Sequence, residues 1–250
     1  MRSKFKLFFV NATITGCFLA FFHTSCYSQS NILVEDHILQ QYESLTVLEK
    51  SKPAFDLYQK GMIGYYNLLA SGKKISNEKL TIVDFRLSSN LKRMWVIDLK
   101  SNKVLYYRLV AHGKNTGGEY AKSFSNIRNS NQSSVGFYLT GENYYGKHGL
   151  SLRLDGMESG FNDKARERAI VMHSANYVSK DFSKKVGRLG RSFGCPAIAL
   201  KDHKEIIRGL ANKSVLFIYY PLEKYDNQTQ LQNLEKANSY YSSQPIAKGN

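Results

Sequence analysis

One stretch of this chain decides how the rest is interpreted: residues 187–197 read GRLGRSFGCPA. Cys195 stands there between a glycine and a proline, and His173 directly follows the apolar run AIVM, 22 residues upstream of the cysteine. A glycine-rich turn can expose a side chain and direct backbone N–H groups toward a developing oxyanion. The pair therefore predicts a cysteine nucleophile with an imidazole base, although a free cysteine and a lone histidine are also common in protein cores.

The first residues predict export, which makes a lone thiol unusual. A basic start is followed by an apolar stretch over 7–22, shorter than the roughly 20 apolar residues of a spanning helix, and this is typical of a signal peptide over residues 1–28. Its removal would take away Cys17 and Cys26 and leave Cys195 without an intramolecular partner, whereas exported proteins usually pair their thiols. Lipid attachment at Cys26 or Cys17 and an uncleaved anchor stay open. Each of these readings places the protein in the periplasm or cell envelope.

Composition narrows the class of partner. The chain has 250 residues with 35 basic and 20 acidic side chains, and three of the basic ones lie within residues 1–28, so the remaining 222 residues carry a net charge of +12. A surface of this sign attracts anionic polymers or is simply well solvated. The sequence contains no helix-turn-helix or zinc-finger signature, which argues against nucleic acid. An anionic cell envelope fits better.

Periodicity predicts a helical segment followed by a sheet domain. Apolar residues recur every three to four positions over 31–70, with an interruption at Pro53, which indicates helices. From residue 80 the pattern changes to short strands, with a long polar stretch at 112–134 that we interpret as a flap. Strands are predicted over 80–87, 94–99, 104–111, 135–140, 150–154, 169–173 and 214–220, one or two helical turns over 162–168, and helices over 179–186 and 201–210.

The predicted organisation is a helical segment at 29–79, a mainly β catalytic domain with flanking helices (α+β) at 80–221, and a loosely held polar tail at 222–250.

Several polar residues are candidate members of the same site. A third group usually orients the imidazole, and the Ser174 carbonyl or a nearby acid would serve. Arg188 and Arg191 could grip a substrate carboxylate as bidentate donors, or form a solvated basic loop. His112 and His148, each next to a glycine, could line the cleft or be structural. A zinc site built from three histidines and the cysteine is the metal alternative, but no tight ligand spacing supports it.

Several motifs in order resemble the L,D-transpeptidases of peptidoglycan, the YkuD-like fold, and more closely the divergent murein L,D-transpeptidase catalytic domain family. They are HSA at 173–175 and the stretch 187–197, preceded by IVDF (82–85), VIDL (96–99), VAHG (110–113), SSVGFY (133–138), GKHG (146–149) and LRLDG (152–156). The resemblance extends over about residues 80–220. It implies a β-sandwich catalytic domain that acts on peptidoglycan stem peptides without a cofactor or metal.

The resemblance also implies roles for individual residues. Cys195 is the expected nucleophile and His173 the expected base. Gly194 and the Cys195 backbone are expected to stabilise the oxyanion. Ser192 matches the serine or threonine of the SHGC signature found in the main family, and it is an expected substrate-binding residue.

Two departures from that signature bear on substrate binding. Phe193 stands where the signature has its second histidine, and Pro196-Ala197 replaces residues that usually include an arginine. The carboxylate-binding role of that arginine is left to Arg188, to Arg191 or to a different grip on the substrate.

The reaction implied by the resemblance is acyl transfer. A thiolate, ionised by the adjacent imidazole, would attack the carbonyl of the third stem residue and release the terminal D-alanine. An amine of another stem would then resolve the thioester and give a 3–3 cross-link. Water as acceptor would instead give an L,D-carboxypeptidase, and a wall-binding module without turnover is the non-enzymatic alternative. Sortases share the order of histidine before cysteine, but they have a threonine directly before the cysteine and so fit less well.

Overall fold

The computed structural model describes residues 34–47 and 51–244, which form one sheet of ten strands and six helices. The helices are α1 (34–44), α2 (Phe55–Ala70), α3 (Lys180–Val186), α4 (His203–Leu210), α5 (Glu223–Gln228) and α6 (Leu234–Ser243). The strands are β1 (Thr46–Val47), β2 (Lys79–Asp84), β3 (Met94–Asp98), β4 (Lys103–Arg108), β5 (Val110–Ala111), β6 (Gly136–Gly146), β7 (Gly149–Gly156), β8 (Val171–Ser174), β9 (Ala197–Ile198) and β10 (Val215–Tyr219). The predictions for the signal peptide and for lipid attachment at Cys17 or Cys26 lie outside the described residues.

A single residue joins two strands that lie near opposite edges of the sheet. The strand order is β1-β4-β3-β2-β10-β6-β7-β8-β9-β5. β4 lies next to one edge and β5 forms the other edge, yet only Leu109 separates them along the chain. The single strand predicted over 104–111 is therefore two strands at opposite ends of a sheet that curves back on itself. The predicted fold, mainly β with flanking helices, is confirmed.

Two apolar clusters lie on the two faces of this sheet, because side chains alternate along each strand. In β10, Val215 and Phe217 belong to the first cluster, whereas Leu216 and Ile218 belong to the second. Residues of α1, α2 and α6 complete the first cluster, and residues of α4 complete the second. The central strands are thus buried on both faces, which explains the unbroken apolar run of β10.

Helix α2 tolerates two internal glycines because the sheet approaches it closely. A methyl group added at Gly64 would lie 1.9 Å from the Cζ atom of Phe137, so only glycine leaves room for that ring. At Gly61 the same addition would meet the ends of Leu80 and Ile82 at 3.2–3.3 Å. The helix is therefore stabilised by packing on the sheet rather than by intrinsic propensity.

The C-terminal residues 222–244 are not the loosely held tail that their polar composition predicted. They form α5 and α6, and Tyr225, Leu231 and Ala237 are buried in the first cluster. The buried Glu158 accepts hydrogen bonds from the Tyr225 hydroxyl and from Thr229. A few apolar positions within a polar segment are enough to attach it to the body of the protein.

The helices preceding residue 80 share the same core. Leu57 and Met62 of α2 pack in one cluster with Leu80 and Ile82 of β2, so the structure shows no packing boundary at 79/80. None of the helices within residues 34–47 and 51–244 combines the length and apolar character needed to cross a bilayer.

Candidate active site

The sheet register brings the predicted nucleophile and base together. His173 lies on β8, and Cys195 lies in the loop that leads into β9. The two strands are parallel, and His173 is paired with Ala197. Cys195, two residues before Ala197, therefore lies beside residues 169–171, which precede His173. There its Sγ accepts a hydrogen bond from the Val171 N–H at 3.4 Å. Both side chains line one cleft of about 280 Å³.

The imidazole of His173 is oriented by the backbone of the next residue. Its Nδ1 lies 3.0 Å from the Ser174 carbonyl oxygen, which can only accept a hydrogen bond, so Nδ1 carries the proton. Nε2 is then the unprotonated nitrogen of the neutral ring. Of the two orienting groups considered from sequence, the Ser174 carbonyl occupies this position, and none of the residues lining the cleft is acidic.

Burial disfavours the charged form of both candidate catalytic groups. It raises the pKa of the Cys195 thiol, an effect partly offset by the Val171 N–H and the Arg168 guanidinium. It lowers the pKa of His173, and the nearby His148 and Lys147 lower it further, against the opposing hydrogen bond to Ser174. Both directions favour the uncharged forms, thiol and neutral imidazole, over the ion pair expected from sequence.

Ser192 organises the loop that carries the cysteine. Its hydroxyl donates to the Cys195 carbonyl at 2.6 Å and accepts from the Gly194 N–H at 3.1 Å. Its backbone bridges to the flap, with the Ser192 N–H donating to His112 O and the Lys114 N–H donating to Ser192 O. The hydroxyl proton predicted to contact substrate is thus already used within the loop, and Ser192 positions Cys195.

Gly194 serves the loop through its conformation. Its φ of +124° is disfavoured for residues with a side chain, and a methyl group there would lie 2.7 Å from the Gln132 carbonyl oxygen. Its N–H is already bound to Ser192, so it is not a free donor for an oxyanion. That part of the prediction falls to the backbone N–H of Cys195.

His112 is held inside the protein rather than at the surface of the cleft. Its side chain is buried, its Nδ1 lies 2.9 Å from Nη2 of Arg93, and its Nε2 lies 3.1 Å from the Gly118 carbonyl oxygen. Burial and the Arg93 charge lower its pKa to about 4, so it stays neutral. His112 therefore joins the sheet to the flap. It does not line the cleft, so the zinc alternative lacks one of its four residues there.

The other predicted substrate contacts divide between the cleft and the surface. His148 lines the cleft and stacks on His173, with ring centroids 4.4 Å apart and planes at 20°. Arg191 also lines the cleft, while its Nη1 donates to the carbonyls of Lys114 and Gly117. Arg188 is not part of the cleft, and its Nη1 donates to the Leu189 carbonyl. Only one of the two loop arginines therefore faces the site.

Sequence reasoning missed several cleft residues, namely Tyr144, Lys147, Arg168, Ile170 and Tyr177. Tyr144 and Lys147 belong to the hairpin of β6 and β7, whose outer part extends beyond the apolar core. The GKHG segment at 146–149 contained part of this signal. The sequence did not indicate a role for Arg168 in the cleft. It was interpreted as the last residue of a helical turn, whereas it lines the cleft.

A match to a known family accompanies this geometry. Residues 49–219 match the family model described as the L,D-transpeptidase catalytic domain. The chain belongs to this family. The match begins before α2, which agrees with the shared core of the helices and the sheet.

Solved structures of L,D-transpeptidases are more distant from this family member. An L,D-transpeptidase from Mycobacterium smegmatis is 12% identical, with a TM-score of 0.35, and the alignment covers 57% of this chain and 59% of that one. The L,D-transpeptidase LdtMt1, solved in complex with imipenem, is 10% identical, with the same TM-score and the same coverage of both chains. The chain thus spans about three fifths of each solved protein. No curated protein matches this sequence.

No three histidine, cysteine, aspartate or glutamate side chains within residues 34–47 and 51–244 lie close enough together to hold a metal ion.

Proposed function

We propose that this protein is a cysteine-dependent L,D-transpeptidase that transfers an acyl group between peptidoglycan stem peptides in the periplasm or cell envelope. The observation that carries the proposal is the shared cleft of Cys195 and His173, in which the Ser174 carbonyl fixes Nε2 as the proton acceptor. Membership of the L,D-transpeptidase family supports the choice of substrate.

In the first half of the reaction, His173 Nε2 takes the thiol proton as the sulfur attacks the carbonyl of the third stem residue. The backbone N–H of Cys195 stabilises the oxyanion that forms. The imidazolium then gives its proton to the departing amine, and the terminal D-alanine leaves. The product of this half is a thioester on Cys195.

In the second half, the side-chain amine of another stem attacks the thioester. His173 accepts the proton lost by that amine and returns it to the departing sulfur, so the free thiol is restored together with a 3–3 cross-link. Water in place of the amine gives an L,D-carboxypeptidase by the same steps.

The decisive experiment is incubation of purified peptidoglycan with the wild-type protein and with Cys195→Ala, followed by mass spectrometry. We expect dimers joined 3–3 with the wild type and none with the variant. Loss of D-alanine alone would identify a carboxypeptidase. No change with the folded wild type would reject acyl transfer on these substrates and leave a wall-binding module as the alternative.

A carbapenem gives an independent test of the nucleophile, since the family resemblance implies that such compounds acylate the catalytic cysteine. We expect intact-mass spectrometry to show one adduct on the wild type and none on Cys195→Ala. An adduct on both proteins would place the reactive group elsewhere.

A further inference from the structure

Arg168 lies at the border of the cleft, immediately before the strip of chain that touches the catalytic sulfur. The Cys195 thiol faces the Ala169 carbonyl at 3.8 Å and the Val171 N–H at 3.4 Å. Arg168 lines the same cleft as Cys195, and it also lines a neighbouring cavity of about 230 Å³ that shares Phe193 with the cleft. It therefore stands between the site and the flap.

The guanidinium of Arg168 is bound entirely by neutral oxygens. Nη1 donates to the Ser125 carbonyl and to the Ser134 hydroxyl, while Nη2 donates to the Ser130 hydroxyl and to the Gln132 carbonyl. All four acceptors belong to residues 125–134 of the flap. Among residues 34–47 and 51–244, no carboxylate forms an ion pair with it. Its charge is therefore not neutralised locally.

This hydrogen bonding excludes one role and supports another. Both terminal nitrogens use their protons on the flap, so Arg168 has no parallel pair of donors left for a substrate carboxylate. It cannot replace the arginine that the family signature places after the cysteine. Its remaining contribution is to hold the flap and to present a positive charge.

The part of the flap that Arg168 holds lies directly on the cysteine loop. The Gln132 carbonyl, which accepts from Nη2, occupies the space next to Gly194 in which a methyl group would come within 2.7 Å of it. The hydroxyl of Ser133 donates to the Gly194 carbonyl and accepts from the Gly113 N–H. Movement of the flap would therefore change the conformation on which the Cys195 backbone depends.

The positive charge also acts on the sulfur, because Arg168 and Cys195 line the same cleft. The guanidinium lowers the pKa of the Cys195 thiol and opposes the effect of burial. Lys147, on the exposed hairpin, acts in the same direction, whereas His173 is neutral at rest. Arg191, Tyr144, Tyr177 and His148 are the other titratable groups that line the cleft.

We propose that Arg168 is a positioning residue of this site, which anchors flap residues 125–134 over Gly194 and supplies the counter-charge for the Cys195 thiolate that forms during the reaction. The proposal rests on the proposed function in so far as Cys195 is the nucleophile.

The test compares the variants Arg168→Gln and Arg168→Lys with Arg166→Gln. Arg166 is two residues away, but it pairs with Asp155 and Glu142 at the surface, so its removal costs the same formal charge without touching the flap. Two quantities are measured for each protein: the pH midpoint of Cys195 alkylation by iodoacetamide, and the rate of 3–3 dimer formation.

We expect Arg168→Gln to raise the alkylation midpoint and to slow dimer formation by at least on the order of 10-fold. Arg168→Lys keeps the charge but cannot reach four acceptors, so its midpoint stays near that of the wild type while dimer formation falls. Arg166→Gln changes neither quantity. An unchanged midpoint in Arg168→Gln overturns the counter-charge role, and full turnover in Arg168→Lys overturns the anchoring role.

Two further observations keep the test decisive. If Arg168→Gln does not fold, as judged by its melting curve, Arg168→Lys must keep the wild-type midpoint and must show faster hydrogen exchange over residues 130–134, and failure of either overturns the proposal. Alkylation needs no wall substrate. A raised midpoint in Arg168→Gln, found when the wild type itself forms no dimers, would reject the proposed function and retain the counter-charge role.

Discussion

At the scale of single residues, the site is governed by burial. The Cys195 thiol and the His173 ring both lie in surroundings that disfavour charge, so neither ionises at rest. In the proposed reaction, the neutral imidazole is ready to accept a proton, and the thiol keeps its proton until a substrate carbonyl is in place. The uncharged form protects this thiol from adventitious oxidation, because the thiolate is the reactive form.

His148 offers a test of how the base is held and tuned. Replacement by alanine removes both the stacked ring and a charge that lowers the pKa of His173, whereas replacement by phenylalanine keeps a ring and removes the charge. Only neutral His173 is a base, and its activity is lost as pH falls through its pKa. A higher pKa therefore moves the acidic limb of the kcat/KM profile toward higher pH.

We expect this shift in both His148 variants, measured as the pH dependence of dimer formation. In addition, kcat should fall on the order of 10-fold in His148→Ala only, because the ring of His173 loses its support. Identical profiles for wild type and both variants would mean that the stacked ring neither tunes nor holds the base.

The sequence was informative about the reacting pair and much less so about its surroundings. Cys195 and His173 lie in motifs that can be recognised from the sequence alone. His112 could not be placed, because its burial depends on Arg93, which lies nineteen residues away, immediately before β3. Arg168 could not be found, because its partners belong to a flap whose path is set by tertiary contacts.

At the scale of elements, α2 shows how packing outweighs propensity. Gly64→Ala should gain about 1 kcal/mol of helix propensity, but the added methyl would overlap the Phe137 ring, and overpacking costs typically about 1–3 kcal/mol or more. We expect a net loss in the free energy of unfolding, measured by urea denaturation.

Gly209 of α4 provides the matched control. A methyl group added there meets no atom within 4 Å, so Gly209→Ala should stabilise the protein by about 0.5–1 kcal/mol. Equal effects of the two substitutions would show that the Phe137 contact does not limit α2.

Most elements were predictable, because their apolar period is local. The Ser179 hydroxyl, for example, accepts from the Phe182 N–H and begins α3 as the sequence indicated. The division of residues 103–111 into β4 and β5 was not predictable, because an apolar run does not indicate which strand each of its halves pairs with.

At the scale of the whole molecule, the C-terminal helices belong to the core. Tyr225→Phe removes one donor to the buried Glu158 carboxylate, and loss of a hydrogen bond to such a group costs about 1–3 kcal/mol. Tyr145 is 73% exposed, so Tyr145→Phe should change the free energy of unfolding by less than about 0.5 kcal/mol. Urea denaturation of the two variants should separate them, and similar values would argue against a structural role for α5.

The single residue that links β4 to β5 has a mechanical consequence. Leu109 joins β4, near one edge of the sheet, directly to β5 in the half that carries Cys195. Neither half can therefore unfold without pulling on the other. We expect one unfolding transition when tryptophan fluorescence, from Trp95 on β3, and the protection of Cys195 are followed together. A circular permutant opened at Leu109 removes this link, so its two signals should separate into two transitions, and a single transition in the permutant would show that the link does not couple the halves.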